Sequence, residues 1–310
     1  MKVVFHASAG PDLTARLASL PGLDVAICPE DDDARLSSLL PDCEVLWHVL
    51  KRCTAGMIAA APKLRLIQKI GVGVNTIDLD AAKARGIPVC NLPGTNSRAV
   101  AELTLALMLA VLRRVPRFDA SFRAGVWTDL ALQDGLGELG GRVVGLVGYG
   151  SVPRLLAPVL AAMGCELLYT ARNQVADAVA RFVPLNSLLE QSDIVSLHLP
   201  LTPETNRLID RTALTRMKKG AVLINTARGG LVDEPALIDA VRTGRLGGAG
   251  LDVFTEEPAA PGEALLTLDN VVVTPHIAWI TTGTFDRSFI LAAENCRRVA
   301  AGTALLHRVV

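Results

Sequence analysis

Arg142-Val143-Val144-Gly145-Leu146-Val147-Gly148-Tyr149-Gly150-Ser151-Val152-Pro153 is the stretch whose reading decides the fold. Up to Val147 it reads as a parallel strand buried on both faces, and it runs straight into a glycine turn. A helical pattern follows from Arg154 to Met163, then a second strand from Cys165 to Tyr169. Strand, Gly-x-Gly turn, helix, strand is the setting in which this motif holds a dinucleotide pyrophosphate. Gly148 permits the tight turn, Gly150 lets backbone approach the phosphates, and the N–H groups of Ser151 and Val152 bind the anion. Pro153 stands where a third glycine is expected. A proline is tolerated there, because in the first helical turn its missing N–H has no intrahelical partner.

The second strand ends in Thr170-Ala171-Arg172-Asn173, without the acidic residue expected about 20 residues after the motif. A carboxylate at that place accepts the ribose 2′-hydroxyl and repels a 2′-phosphate. Arg172 can instead pair with such a phosphate, and Thr170 can add a hydrogen bond. The expected cofactor is NADP, with NAD as the alternative.

Outward from the motif, short apolar runs alternate with helical stretches along the whole chain. Strands are predicted at Val3–His6, Val25–Cys28, Val45–Trp47, Leu66–Ile70 and Val89–Cys90, then at Val143–Val147, Glu166–Tyr169, Arg181–Val183, Ile194–Leu197, Val222–Ile224, Gly248–Leu251 and Val271–Val273. Helices are predicted at Asp12–Ser19, Arg35–Leu39, Ala55–Ala60, Leu79–Arg85 and Ala99–Leu112, with another after Ala278. Such alternation implies parallel sheets covered on both faces. A chain of 310 residues exceeds the usual limit for one core, so two domains are expected.

The C-terminal half carries three chemically distinctive residues. Arg228 lies in Asn225-Thr226-Ala227-Arg228-Gly229-Gly230 after an apolar run, Glu257 follows Glu256, and His276 follows Pro275 at the end of the last predicted strand. A guanidinium can hold a carboxylate through two parallel hydrogen bonds, and an imidazole can exchange a proton near neutral pH. A carboxylate beside the ring would orient it and stabilise its charged form. These are the parts needed to bind a 2-oxo acid and move a proton on its oxygen. In Gly71-Val72-Gly73, backbone N–H groups of Val72 and Gly73 can form a nest for a small anion, and Lys51 follows a strand nearby in sequence.

Together these stretches resemble the D-isomer-specific 2-hydroxyacid dehydrogenase family over nearly the whole chain. Gly71 to Asp78, Asn91 to Asn96, Val100-Ala101-Glu102 and His198-Leu199-Pro200-Leu201-Thr202 also match. The glyoxylate/hydroxypyruvate reductase branch is similar through Tyr169 to Arg172 and His276 to Trp279. Asn75 replaces an aspartate common in the family's glycine loop.

The resemblance implies an α/β fold of two doubly wound parallel-sheet domains, a Rossmann nucleotide domain inserted in a flavodoxin-like substrate domain. The substrate domain would comprise residues 1–98 and 279–310, the dinucleotide domain residues 99–278, with the ligand in the cleft between them. Arg228, Glu257 and His276 would be the catalytic set; Glu257 rather than Glu256 has the family's spacing, 29 residues beyond the arginine. Asp252 is a candidate partner for the nicotinamide amide, or a strand-end turn aspartate. His198 through its backbone, Pro200, Thr205, Thr226 and Ala227 would complete the cofactor contacts, and Trp279 the pocket wall. The implied reaction is reduction of glyoxylate, hydroxypyruvate or a similar 2-oxo acid by a homodimer. Relatives on this fold oxidise formate, which the Glu257–His276 pairing disfavours, or phosphite, for which Lys51 would matter. Others are nucleotide-sensing corepressors.

Bulk properties suit a cytoplasmic enzyme. Lys+Arg and Asp+Glu balance at 31 each, which argues against nucleic acid or an anionic membrane as partner. Six cysteines are scattered without C-x-x-C spacing and read as reduced thiols, with no metal site. The most apolar stretch, Ala99 to Leu112, falls short of the ~20 residues that cross a bilayer.

Overall fold

The apolar runs of the first ninety residues become a parallel five-stranded sheet of order β2-β1-β3-β4-β5. Its strands are β1 (Lys2–His6), β2 (Asp24–Cys28), β3 (Val45–His48), β4 (Leu66–Lys69) and β5 (Val89–Cys90). Because side chains alternate across a strand, Val4, Leu46 and Ile67, aligned in register, share one face and one core. Helices α1 (Pro11–Ala18), α2 (Asp33–Leu39), α3 (Ala55–Ala59) and α4 (Leu79–Ala84) connect the strands. The computed structural model describes all 310 residues and divides into two compact units, residues 1–96 with 281–310, and residues 97–280.

The last helix of the chain belongs to the first unit. On the face opposite Val4, Phe5 and Trp47 pack against Phe289, with ring centroids 6.1 and 5.5 Å away. Buried Asn295 donates to Gln68 Oε1 at 2.7 Å. Replacing Phe289 by alanine would cost about 3–5 kcal/mol, the range for a buried aromatic ring.

In the second unit the long apolar helix α5 (Ser97–Arg113) is followed by α6 (Val115–Arg123) and α7 (Leu130–Gln133), then β6 (Val143–Val147), α8 (Ser151–Ala162), β7 (Glu166–Thr170) and β8 (Arg181–Phe182). After these come α9 (Leu185–Gln191), β9 (Ile194–Leu197), α10 (Arg211–Arg216), β10 (Ala221–Asn225), α11 (Glu234–Arg242), β11 (Leu246–Leu251) and β12 (Val271–Val273); α12 (Thr282–Ala301) is the terminal helix of the first unit. The sheet order is β12-β11-β10-β9-β6-β7-β8, with every pairing parallel. The chain reverses direction between β6 and β9, so the carboxyl ends of these two strands flank a topological switch point, where open α/β sheets bind ligands.

Two local departures from the sequence expectation have clear causes. Helix α8 starts at Ser151 rather than Arg154, because Gly150 takes an extended N-cap conformation and Pro153 fits inside the first turn. Helix α6 is absent from the sequence expectation: Arg114 adopts φ 50°, breaking α5, and Pro116 starts the new helix.

Two histidines tie stability to pH. Burial, aided by Lys69, lowers the pKa of His48 to about 3, and burial lowers that of His198 to about 3. An unfolded chain binds protons at both below its ordinary value of 6.5 while the folded chain does not. Their contribution is therefore complete above 6.5 and is lost as pH falls toward about 3. Thermal melts should show Tm falling on acidification through this window, with a shallower slope in His48→Gln and His198→Gln. An unchanged slope in both variants would refute the assignment.

Candidate active site

The glycine turn after β6 is built by close approach. Gly148 has φ +99°, and a Cβ there would stand 2.6 Å from the His198 carbonyl oxygen at the end of β9. Gly148 N–H donates to the Thr170 carbonyl at 2.8 Å, so the turn is pinned between β7 and β9. Gly150, by contrast, faces open space, and a Cβ there would meet nothing within 4 Å. No side chain caps α8. The first-turn N–H groups of Ser151 and Val152 therefore lack intrahelical acceptors, and Pro153 has no N–H to satisfy. Ser151 Oγ accepts from Ser97 Oγ at 2.8 Å. Open backbone, unsatisfied donors and the positive end of a helix fit a pyrophosphate.

Thr170 is half-buried at the end of β7 and Arg172 is exposed. Although no acid lies near them in sequence, the fold brings one into electrostatic range. The Glu204 carboxyl is held below its ordinary pKa by the Thr202 hydroxyl first, then by its own backbone N–H and the charge of Arg172. The turn bearing Glu204 is shaped by Thr205, whose Oγ1 donates to the Pro200 carbonyl at 2.7 Å and accepts from Thr202 N–H at 2.8 Å. The His198 imidazole is engaged with Ser196 Oγ at 2.9 Å.

Arg228 is set by a buried asparagine. Asn225 Nδ2 donates to the Arg228 carbonyl at 2.8 Å and Oδ1 accepts from Ala227 N–H at 3.0 Å, fixing the turn. Thr226 Oγ1 lies 2.9 Å from Thr104 Oγ1 of α5. Burial lowers the Arg228 pKa, opposed by the charge of Glu257, and a guanidinium stays protonated regardless. Glu257 Oε1 accepts from Phe254 N–H at 3.0 Å, and Oε2 bonds His276 Nδ1 at 2.6 Å. Burial pushes the Glu257 carboxyl up, yet His276, the Phe254 N–H and Arg228 together hold it below the usual range. With Nδ1 occupied by the carboxylate, Nε2 is the ring atom left for proton transfer. Glu256 is exposed and has no part in this pairing.

His276 sits in the left-handed region at φ 53°, a conformation unusual for a non-glycine residue. Asp252, fully buried after β11, explains it. Its Oδ1 accepts from Thr274 Oγ1 at 2.6 Å and Ile277 N–H at 2.9 Å, its Oδ2 from Ala278 N–H at 2.9 Å, and its carbonyl from His276 N–H at 2.8 Å. Burial raises the Asp252 pKa despite these bonds. These bonds make Asp252 the anchor of the turn that carries His276.

The other expected residues lie as follows. Val72 is exposed and Gly73 half-buried in the loop after β4, where Asn91 Nδ2 donates to the Val72 carbonyl at 2.9 Å. Lys51 Nζ pairs with Asp33 at 2.5 Å, and its N–H donates to Glu30 Oε1 at 2.8 Å. Trp279 is half-buried, directly after the clamped turn. Sequence reading missed Asn225 and Gly229 as builders of the Arg228 turn, although both stand in the quoted Asn-Thr-Ala-Arg-Gly-Gly run.

Comparison with known proteins matches residues 105–278 to the family described as D-isomer specific 2-hydroxyacid dehydrogenase, NAD binding domain. A D-3-phosphoglycerate dehydrogenase of Mycobacterium leprae is 40% identical over 297 residues, covering 94% of this chain and 52% of the relative. The chain thus spans about half the length of that relative. A hydroxypyruvate reductase of Thermotoga maritima is 39% identical over 246 residues, covering 78% of this chain and 80% of that one. The crystal structure of the TT0316 protein from Thermus thermophilus superposes with a TM-score of 0.90 at 40% identity, covering 100% of both chains.

Gly229 packs directly on the Phe254 carbonyl, leaving no room for a Cβ. Gly229→Ala must therefore displace rigid backbone at the segment that leads to Glu257, at a cost of about 1–3 kcal/mol for overpacking. Gly230→Ala meets only the flexible end of Leu201 at 3.0 Å and should lose less. Thermal unfolding of the two variants side by side checks this; equal losses would contradict it.

Proposed function

The chain belongs to the D-isomer specific 2-hydroxyacid dehydrogenase family, and we propose that it reduces a small 2-oxo acid to the D-2-hydroxy acid. The observation carrying this reading is the 2.6 Å bond between His276 Nδ1 and Glu257, whose carboxylate also feels the charge of Arg228. Arg228 binds the substrate carboxylate and polarises the carbonyl. His276 Nε2 delivers a proton to the carbonyl oxygen, while Glu257 orients the ring and stabilises its cationic form. A bound reduced nicotinamide supplies the hydride. Val72 and Gly73 offer N–H groups to a carboxylate, and Trp279 offers a wall. Ser151 and Val152 hold the pyrophosphate; Arg172 and Thr170 hold a 2′-phosphate.

Glyoxylate and hydroxypyruvate are the leading substrates, supported by the relative named hydroxypyruvate reductase. The relative named D-3-phosphoglycerate dehydrogenase favours a second reading, in which D-3-phosphoglycerate is oxidised. Nicotinamide absorbance with a panel of 2-oxo acids, and with D-3-phosphoglycerate in the reverse direction, separates them; turnover of none overturns the reading. The working form in this proposal is a cytoplasmic homodimer. The balance of 31 basic and 31 acidic residues and six free cysteines support a setting without nucleic acid or disulfide formation. No helix is long and apolar enough to cross a membrane.

His276→Ala should reduce turnover by roughly 10²–10⁴, the range for a general acid, with dinucleotide binding retained. Near-normal turnover in the variant would remove His276 from the mechanism.

NADPH should be preferred over NADH, because Arg172 can pair with the 2′-phosphate. Glu204, whose carboxyl feels the charge of Arg172, lies on a neighbouring loop. Arg172→Ala should lower the kcat/KM ratio of NADPH to NADH, and a wild type that uses NADH equally well or better would contradict the assignment.

A further inference from the structure

The chain holds two tyrosines, and both give their hydroxyl groups to one loop. Residues 171–180 run between β7 and β8 without helix or strand, a length that samples many conformations unless something ties it down. Tyr169, buried in β7, ties it at Val175: its hydroxyl accepts from the Val175 N–H at 2.7 Å and donates to the Val175 carbonyl at 3.3 Å. Tyr149, between Gly148 and Gly150 of the nucleotide turn, ties it at Val179, whose N–H donates to the Tyr149 hydroxyl at 3.1 Å. The two rings pack with 4.4 Å between centroids, so each fixes the direction of the other's hydroxyl.

Residues 171–174 are thereby an arch fixed at both feet. One foot is β7, the other is Val175, and Tyr169 holds both. Arg172, Asn173 and Gln174 on the arch are exposed. A third attachment lies farther along, where Arg154 Nη1 donates to both carboxylate oxygens of Asp177 at 3.1 Å. That pair is in solvent, where ion pairs add little. The tyrosine hydroxyls matter more, because their loss leaves backbone groups of the loop without partners.

We infer that, on the proposed reading in which Arg172 binds a ribose 2′-phosphate, Tyr169 is a positioning residue for cofactor selection, supported by Tyr149. Its hydroxyl holds the arch so that Arg172 stands ready for the phosphate. NADPH differs from NADH by that phosphate alone, so only NADPH draws on the position of Arg172. Ordering a loop at the moment of binding subtracts from affinity, and an arch already ordered avoids that loss. A phenylalanine at position 169 would keep the ring packing against Tyr149 and against Phe182, 5.4 Å away. Only the tether would be removed, which separates positioning from packing.

Titration calorimetry of the whole chain with NADPH and with NADH tests this in the wild type, Tyr169→Phe, Arg172→Ala and the double variant. Tyr169→Phe should weaken NADPH binding about 5-fold, the contribution of one typical hydrogen bond, and leave NADH near its wild-type affinity. In the Arg172→Ala background the same change should no longer alter the NADPH-to-NADH ratio, since the group it positions is gone. Equal weakening of both cofactors in either background would mark a purely structural role and overturn the inference. Should Tyr169→Phe fail to fold, Tyr149→Phe carries the test, with a shift in the same direction. An Arg172→Ala ratio equal to that of the wild type would overturn both the cofactor reading and this inference. A lowered ratio there, with neither tyrosine variant changing it, would overturn this inference alone.

Discussion

The carboxylate of Asp252, buried at the carboxyl end of β11, organises the segment on which the candidate chemistry rests. Three donors from residues 274–278 converge on its two oxygens, and its carbonyl takes the N–H of His276. Left-handed backbone is unfavourable for a histidine, and these bonds over-determine it, which is how such strain persists at functional sites. The clamp also explains why the carboxylate can remain fully buried: an ionised acid without donors would be costly in that place, whereas here its lone pairs are largely satisfied.

From that turn, the remaining geometry follows through short links. His276 reaches Glu257, whose own segment is anchored by the Phe254 N–H, by Glu234 Oε2 accepting from Thr255 N–H at 3.0 Å, and by the close approach of Gly229. Gly229 immediately follows Arg228, so one backbone contact joins the cation's turn to the carboxylate's segment. Electrostatics then couples what packing has assembled. The imidazole and the guanidinium both favour the ionised form of Glu257, so loss of either would weaken the remaining pair.

On the nucleotide side the same economy of backbone is visible at Gly148, where only a hydrogen fits against the His198 carbonyl. The turn thereby lies at the switch point between β6 and β9, with the open N-terminus of α8 directed outward. Arg172 supplies a positive charge at the end of β7, which Glu204 on a different loop feels.

The sequence by itself determined the two parallel sheets and the element types. Strands buried on both faces must be continuous apolar runs, and the runs at Val143–Val147, Ile194–Leu197 and Val271–Val273 recur unchanged as β6, β9 and β12. It also displayed the glycine turn and the Arg228, Glu257 and His276 segments, because these combine glycines, proline and ionisable groups in short stretches. Family spacing pointed to Glu257 rather than Glu256; only the tertiary structure placed its carboxylate on His276 Nδ1, anchored the turn beneath on Asp252, brought Glu204 within range of the Arg172 charge, and resumed a helix after Arg114. The reason is physical: hydrophobic periodicity and turn chemistry act over a few neighbouring residues and are written locally. A hydrogen bond between strand ends depends on which loops the sheet order brings together.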